Sequence, residues 1–175
     1  GGMYNSLASS PYLADCTFEN NSAVRDGGGG MRNYGAGPTL VDCTFTKNSA
    51  DVDGGGMANN RSTPALTGCS FMDNSAVSGG GMHNNESDPI LNDCTFTVNS
   101  ADNGGGMYSY SKDSPSEPIL ANCTFANNSA DTGVGMHGDS SIPTLTDCTF
   151  GGNLARYGGG MSNAGSSSPT LDNCT

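Results

Sequence analysis

Apolar positions in this chain recur singly, at wide and regular intervals. Between Gly27 and Asp53, Met31, Leu40, Cys43 and Phe45 stand apart among glycine, serine, threonine and asparagine, and the same order returns along the whole chain. Seven of the eight methionines keep this rhythm, Met3, Met31, Met57, Met82, Met107, Met136 and Met161, with steps of 25 to 29 residues. The cysteines are Cys16, Cys43, Cys69, Cys94, Cys123, Cys148 and Cys174, in the same rhythm. A period near 25 residues denotes stacked supersecondary units, each too small to bury its apolar face alone.

One unit predicts three short strands and three corners. Gly28-Gly29-Gly30 permits close packing against the coil above. Met31 then faces inward and Arg32 outward, as strand alternation requires. Asn33 is expected to open a variable corner that ends at Pro38, the place where coil length changes, as in the longer Ser109–Glu117 segment. Leu40 faces inward, Asp42 marks a bend, and Cys43-Thr44-Phe45 is a strand with Cys and Phe inward. Asn48 marks the last turn, where it is expected to tolerate left-handed geometry and to bond its copies along the axis. Ala50 is small enough to sit inside that turn.

The expected inward ladders are therefore four. Met31, Met57, Met82, Met107, Met136 and Met161 form the first, and Leu40, Leu66, Leu91, Leu120 and Leu145 the second. Cys43, Cys69, Cys94, Cys123 and Cys148 form the third, and Phe45, Phe71, Phe96, Phe125 and Phe150 the fourth. The turn ladder is Asn21, Asn48, Asn74, Asn99, Asn128 and Asn153. The fold class is all-β, a right-handed parallel β-helix of about seven coils, ~34 Å long at the strand spacing of a sheet. A leucine-rich repeat needs several spaced leucines per unit, and here there is one. The chain reads as a single repeat domain over residues 1–175. It opens inside a repeat and stops one residue short of the next phenylalanine, so a segment of a longer rod or a protomer of a fibre is expected.

Composition narrows the function classes. Apolar residues make up 34%, below the ~45–50% of globular domains, which suits a narrow rod. The net charge is −11, and the six Lys and Arg are scattered. Nucleic acid requires clustered positive charge, so nucleic-acid binding is not expected. No apolar run reaches the length of a membrane span, and no signal peptide is visible.

The six Phe-x-x-Asn stretches, from Phe18 to Asn21 through Phe150 to Asn153, together with the Gly-Gly-Gly-Met element, resemble the Phe-x-x-Asn and Gly-Gly-Ala-Ile repeats of chlamydial polymorphic outer-membrane proteins. They are also similar to β-helix repeats of other large bacterial surface proteins. The resemblance implies an extracellular or surface-exposed passenger, adhesin or structural rod rather than an enzyme. Methionine stands where that family has an aliphatic residue, and no barrel or anchor accompanies the repeats.

Several chemistry-bearing columns compete with this reading. Stacked cysteines lie ~4.8 Å apart, within the Cα range of a disulfide, but their side chains run parallel. Seven is odd, and buried free thiols are expected. His83 and His137 share an outward column with Tyr108 between them and are expected at the surface, too far apart to share a metal. The Asp15, Asp42, Asp93 and Asp147 corner, with Asn122, Asn173 and Gly68, is an acidic face where weak surface calcium is the metal chemistry to consider; no cofactor is expected. Paired outward threonines, the array ice binding would need, are broken at Glu19, Met72, Ala126 and Gly151. Asn-x-Ser/Thr sequons occur at Asn20, Asn60, Asn85, Asn122, Asn127 and Asn173, of which Asn60 and Asn85 are the candidate glycan attachment points. The expected partners are copies of the same rod, end to end or in continuation, and surface glycans. The alternative function is a carbohydrate-binding or polysaccharide-degrading β-helix.

Overall fold

Alternation within very short strands decides what each coil buries. The computed structural model describes the whole chain, Gly1–Thr175, and contains strands but no helix. Four-residue strands at Met3–Ser6, Met31–Tyr34, Met57–Asn60, Met82–Asn85, Met107–Tyr110, Met136–Asp139 and Met161–Ala164 pair in parallel as a seven-stranded sheet, the methionine sheet. Its register sets each methionine on the next, Met31 on Met57 and Met82 on Met107. A seven-stranded leucine sheet follows, from Tyr12–Ala14 to Thr170–Asp172, and then a six-stranded phenylalanine sheet, from Thr17–Glu19 to Thr149–Gly151. A narrower fourth ladder lies beyond the three strands expected per coil. It runs from Ser22–Ala23 and Ser49–Ala50 through single bridges at Ser75 and Ser100 to Ser129–Thr132 and Leu154–Tyr157.

The core is a column rather than a layer. Nineteen buried residues form it, and all are Met, Leu, Cys or Phe. Met31 to Met136, Leu40 to Leu145, Cys43 to Cys148 and Phe45 to Phe125 are at most 1% exposed, whereas Phe150 and Met161, in the last coils, are only partly buried. Phenylalanine rings stack with centroids 4.7–5.1 Å apart and planes within 7°. In-register stacking therefore forces parallel rings, because each ring inherits the strand spacing of ~4.8 Å. Burial of each such side chain contributes about 1.5–3 kcal/mol.

Corners are made by single left-handed residues. One column holds Asp15, Asp42, Gly68, Asp93, Asn122, Asp147 and Asn173, all with φ between 50° and 64°. Another holds Asn20, Lys47, Asp73, Val98, Asn127 and Gly152, with φ between 52° and 63°. The second column corrects an expectation. The left-handed residue precedes the turn asparagine, so Asn48 and its copies keep ordinary backbone and are free to point inward.

The glycine triplets admit the neighbouring coil. A Cβ on Gly81 would lie 2.6 Å from the Gly106 carbonyl oxygen and 2.8 Å from Cδ1 of Phe96. No side chain fits there without moving both.

Candidate functional site

Inward polar columns sit beside the apolar ones, and the turn asparagines are the most completely bonded. Asn48 Nδ2 donates to Asn74 Oδ1 at 3.0 Å and to the Phe18 carbonyl at 2.8 Å, and the Asn48 backbone N–H donates to Asn74 Oδ1 at 3.0 Å. The pattern repeats through Asn74, Asn99 and Asn128 to Asn153, and begins at Asn21. Asn48, Asn74, Asn99 and Asn128 are at most 1% exposed. Buried amides in this state satisfy both donors and the acceptor.

A second asparagine ladder lies on the methionine sheet. Asn5 donates to Asn33, Asn33 to Asn59 and Asn59 to Asn84, at 2.8, 2.8 and 2.9 Å, and Asn84 reaches Ser109 Oγ at 3.3 Å. Gly138 occupies the next position and ends it. Asn33 therefore belongs to a strand and is fully buried, instead of opening the variable corner. Ser109 is likewise buried in its strand, and the long segment is Ser111–Glu117. Alternation carried the signal: Met31 inward places Asn33 on the same face.

The candidate glycan sites rest on a serine column. Ser62 Oγ donates to the Asn60 carbonyl at 2.9 Å and accepts from the Ala36 N–H at 3.2 Å; Ser87 does the same with Asn85 and Ser62. Ser62 and Ser87 are the hydroxyl residues of these two sequons, and both are buried while Asn60 and Asn85 are half-buried. The other sequon asparagines Asn20, Asn122, Asn127 and Asn173 are the left-handed corner residues themselves.

The cysteines are free thiols, buried from Cys43 to Cys148 and partly exposed at Cys16 and Cys174. Cys43 Sγ lies 3.3 Å from the Val41 carbonyl and 3.7 Å from that of Leu13, a geometry copied at Cys69, Cys123 and Cys148. Burial pushes the Cys43 thiol up, which favours an inert, protonated sulfur. No three His, Cys, Asp or Glu side chains converge in a metal-ligand arrangement.

One outward column differs in chemistry from coil to coil. On the methionine sheet it reads Tyr4, Arg32, Ala58, His83, Tyr108, His137 and Ser162. A ridge folds over it, in which Asp53, Ser78, Asn103 and Thr132 bridge one another in parallel. The glycine after each ridge residue turns left-handed, and a Cβ on Gly133 would lie 2.6 Å from Cβ of His137. His83 and His137 are consequently 6% and 7% exposed. The expectation of surface histidines is corrected here: the strand points them outward, but the ridge covers them.

The His137 ring stacks on Tyr108 with centroids 5.1 Å apart, and the His83 ring packs against Tyr108 at 5.3 Å with its plane tilted by 34°. Burial lowers the basicity of both histidines, opposed at His83 by Asp53 and at His137 by Asp139. Tyr108 is pushed up to about 12 by burial and by Asp139, Tyr110 and Asp53. A cavity of about 40 Å³ beside this column is lined by Asp26, Arg32, Asp53, Asn60, His83 and Asn85, among others, and Arg32 is ion-paired with Asp26. That volume holds water rather than a drug-sized ligand.

A family description, the right-handed β-helix region, matches residues 2–129. The chain belongs to that family. Its hand agrees with the strong right-handed preference of crossovers between parallel strands. Neither the curated proteins nor the solved structures contain a match. No helix is long and apolar enough to cross a membrane.

Proposed function

We propose that this β-helix is a non-enzymatic structural or adhesive rod of the cell surface or extracellular space, in line with its resemblance to chlamydial polymorphic outer-membrane repeats. The observation that carries the reading is uniformity. Four apolar columns and one asparagine ladder repeat nearly unchanged, and the outward positions of the leucine and phenylalanine sheets from Thr39 to Gly151 hold no charged residue. Such a surface is built for repetition rather than for one reaction centre. A coil edge offers the same unpaired N–H and C=O groups wherever a rod stops. A head-to-tail contact between such edges propagates as a filament. Electron microscopy of the native material tests this. Long unbranched fibres with an axial repeat of ~4.8 Å are the expected result, and discrete short rods would sink the filament form.

A carbohydrate-binding or degrading role is the second reading, favoured by the mixed Arg32, His83, Tyr108 and His137 column. The packing of Tyr108 works against it, because His137 stacks on its ring and His83 packs tilted against it, which crowds any platform for a sugar. A glycan array with an activity screen separates the two readings. Specific binding or cleavage would favour the second.

A further inference from the structure

The ridge makes a second, outer core above the methionine sheet, and its contents are titratable. His83, Tyr108 and His137 occupy three successive coils under it. Nδ1 of His137 is buried without a hydrogen-bond partner and would lie 2.9 Å from a Cβ on Gly133, so it faces the turn of the ridge. Nε2 of His83 lies 3.7 Å from Asp53 Oδ1 on the ridge. The groups facing the stack are few. The ridge contributes Asp53, the outer face of the methionine sheet contributes Tyr108, Tyr110 and Asp139, and the inner face contributes uncharged Met82, Asn84 and Met136. Arg32 lies two coils below His83 and is paired with Asp26.

An imidazolium needs an acceptor for each of its two N–H groups. At His137 the added proton has no acceptor, and at His83 only one carboxylate is near. A protonated His137 ring must therefore reach water, and the ridge corner at Gly133 stands in its way. The ridge is the part of the coil best able to give, since Asp53, Ser78 and Asn103 are held by single bridges and only Ser129–Thr132 pairs as a strand, with Leu154–Tyr157.

We propose that the His83–Tyr108–His137 stack is an acid-sensitive latch. Proton uptake from solvent by the histidines loosens the ridge around residues 51–53 and 131–133, the segments that touch His83 and His137, while the methionine, leucine and phenylalanine sheets stay intact. The direction follows from linkage. The closed form favours neutral imidazole, so the open form binds more protons, and closure is complete above the ordinary histidine value of 6.5 and is lost as pH falls below it. Each unit by which burial lowers a histidine corresponds to about a tenfold change in the closed-to-open ratio.

Hydrogen exchange of the full chain, read as protection factors between about pH 7.5 and about pH 5, tests the latch across the histidine range. The expected result is a loss of about tenfold or more at the two ridge segments, with no matching loss in the leucine and phenylalanine sheets. The His83→Phe/His137→Phe double variant should retain protection at low pH. Uniform loss across the rod, or an unchanged pH response in that variant, would overturn the proposal. Titration of the histidine ring signals by nuclear magnetic resonance serves even if the variant does not fold. Values at or above 6.5 for both rings would equally refute it.

Discussion

The two asparagine ladders run along the axis of the same rod, yet they differ in completeness. In the turn ladder each inner amide bonds the next asparagine, a backbone N–H and a phenylalanine carbonyl, as Asn74 does with Asn99, Asn48 and Phe45. On the methionine sheet each amide only hands one hydrogen bond to the next, and the ladder weakens at Ser109 and ends at Gly138. The difference is one of duty. The turn has orphaned backbone groups that must be satisfied inside the coil. The strand has already paired its backbone with its neighbours, so its side chains need only satisfy themselves.

Removing a link from each ladder should show this at different scales. Asn74→Ala removes three buried hydrogen bonds, those to the Asn48 N–H, to one Asn48 amide donor and to the Phe45 carbonyl, and unmade buried bonds cost about 1–3 kcal/mol each. A loss of about 3–5 kcal/mol is expected in denaturant unfolding. Asn59→Ala orphans only the Asn33 amide donor and the Asn84 acceptor, so about 1–3 kcal/mol is expected. A larger loss at Asn59 than at Asn74 would reverse the comparison.

The corner before the turn ladder sharpens it. Val98 holds φ at 57°, where the copies in other coils are Asn, Asp, Lys or Gly, and a β-branched residue is strained there. Val98→Asn should stabilise by about 0.5–1 kcal/mol, seen as a higher denaturant midpoint, provided the turn itself sets the cost. At the outer corner, Arg61 Nε donates to Glu86 Oε2 at 2.8 Å, and this contact holds the Glu86 carboxyl below its usual range. The arginine is exposed, and exposed pairs contribute little. Arg61→Gln is expected to leave the midpoint unchanged, which would separate surface ladders from buried ones.

Legibility followed the same division. Met31, Leu40, Cys43 and Phe45 could be placed because each recurs at one step and only an apolar column can be buried in a narrow rod. The turn asparagines were visible because six copies stand three residues after a phenylalanine. Asn33 was hidden by its polarity, although its spacing from Met31 was sufficient to place it. The burial of His83 and His137 had no such signal. Alternation points them outward, and only the fold of the preceding segment over the sheet covers them.

The amino-acid sequence by itself determined the coil, its length and its inward columns, because a repeated apolar spacing has one economical solution: parallel stacking in register. Tertiary structure decided what happens outside the sheets. The ridge closes over the methionine sheet because the left-handed glycines bring the backbone of one segment against side chains a few residues along the same coil. That approach depends on three-dimensional distance and not on any periodicity, and it turned two outward histidines into a buried stack.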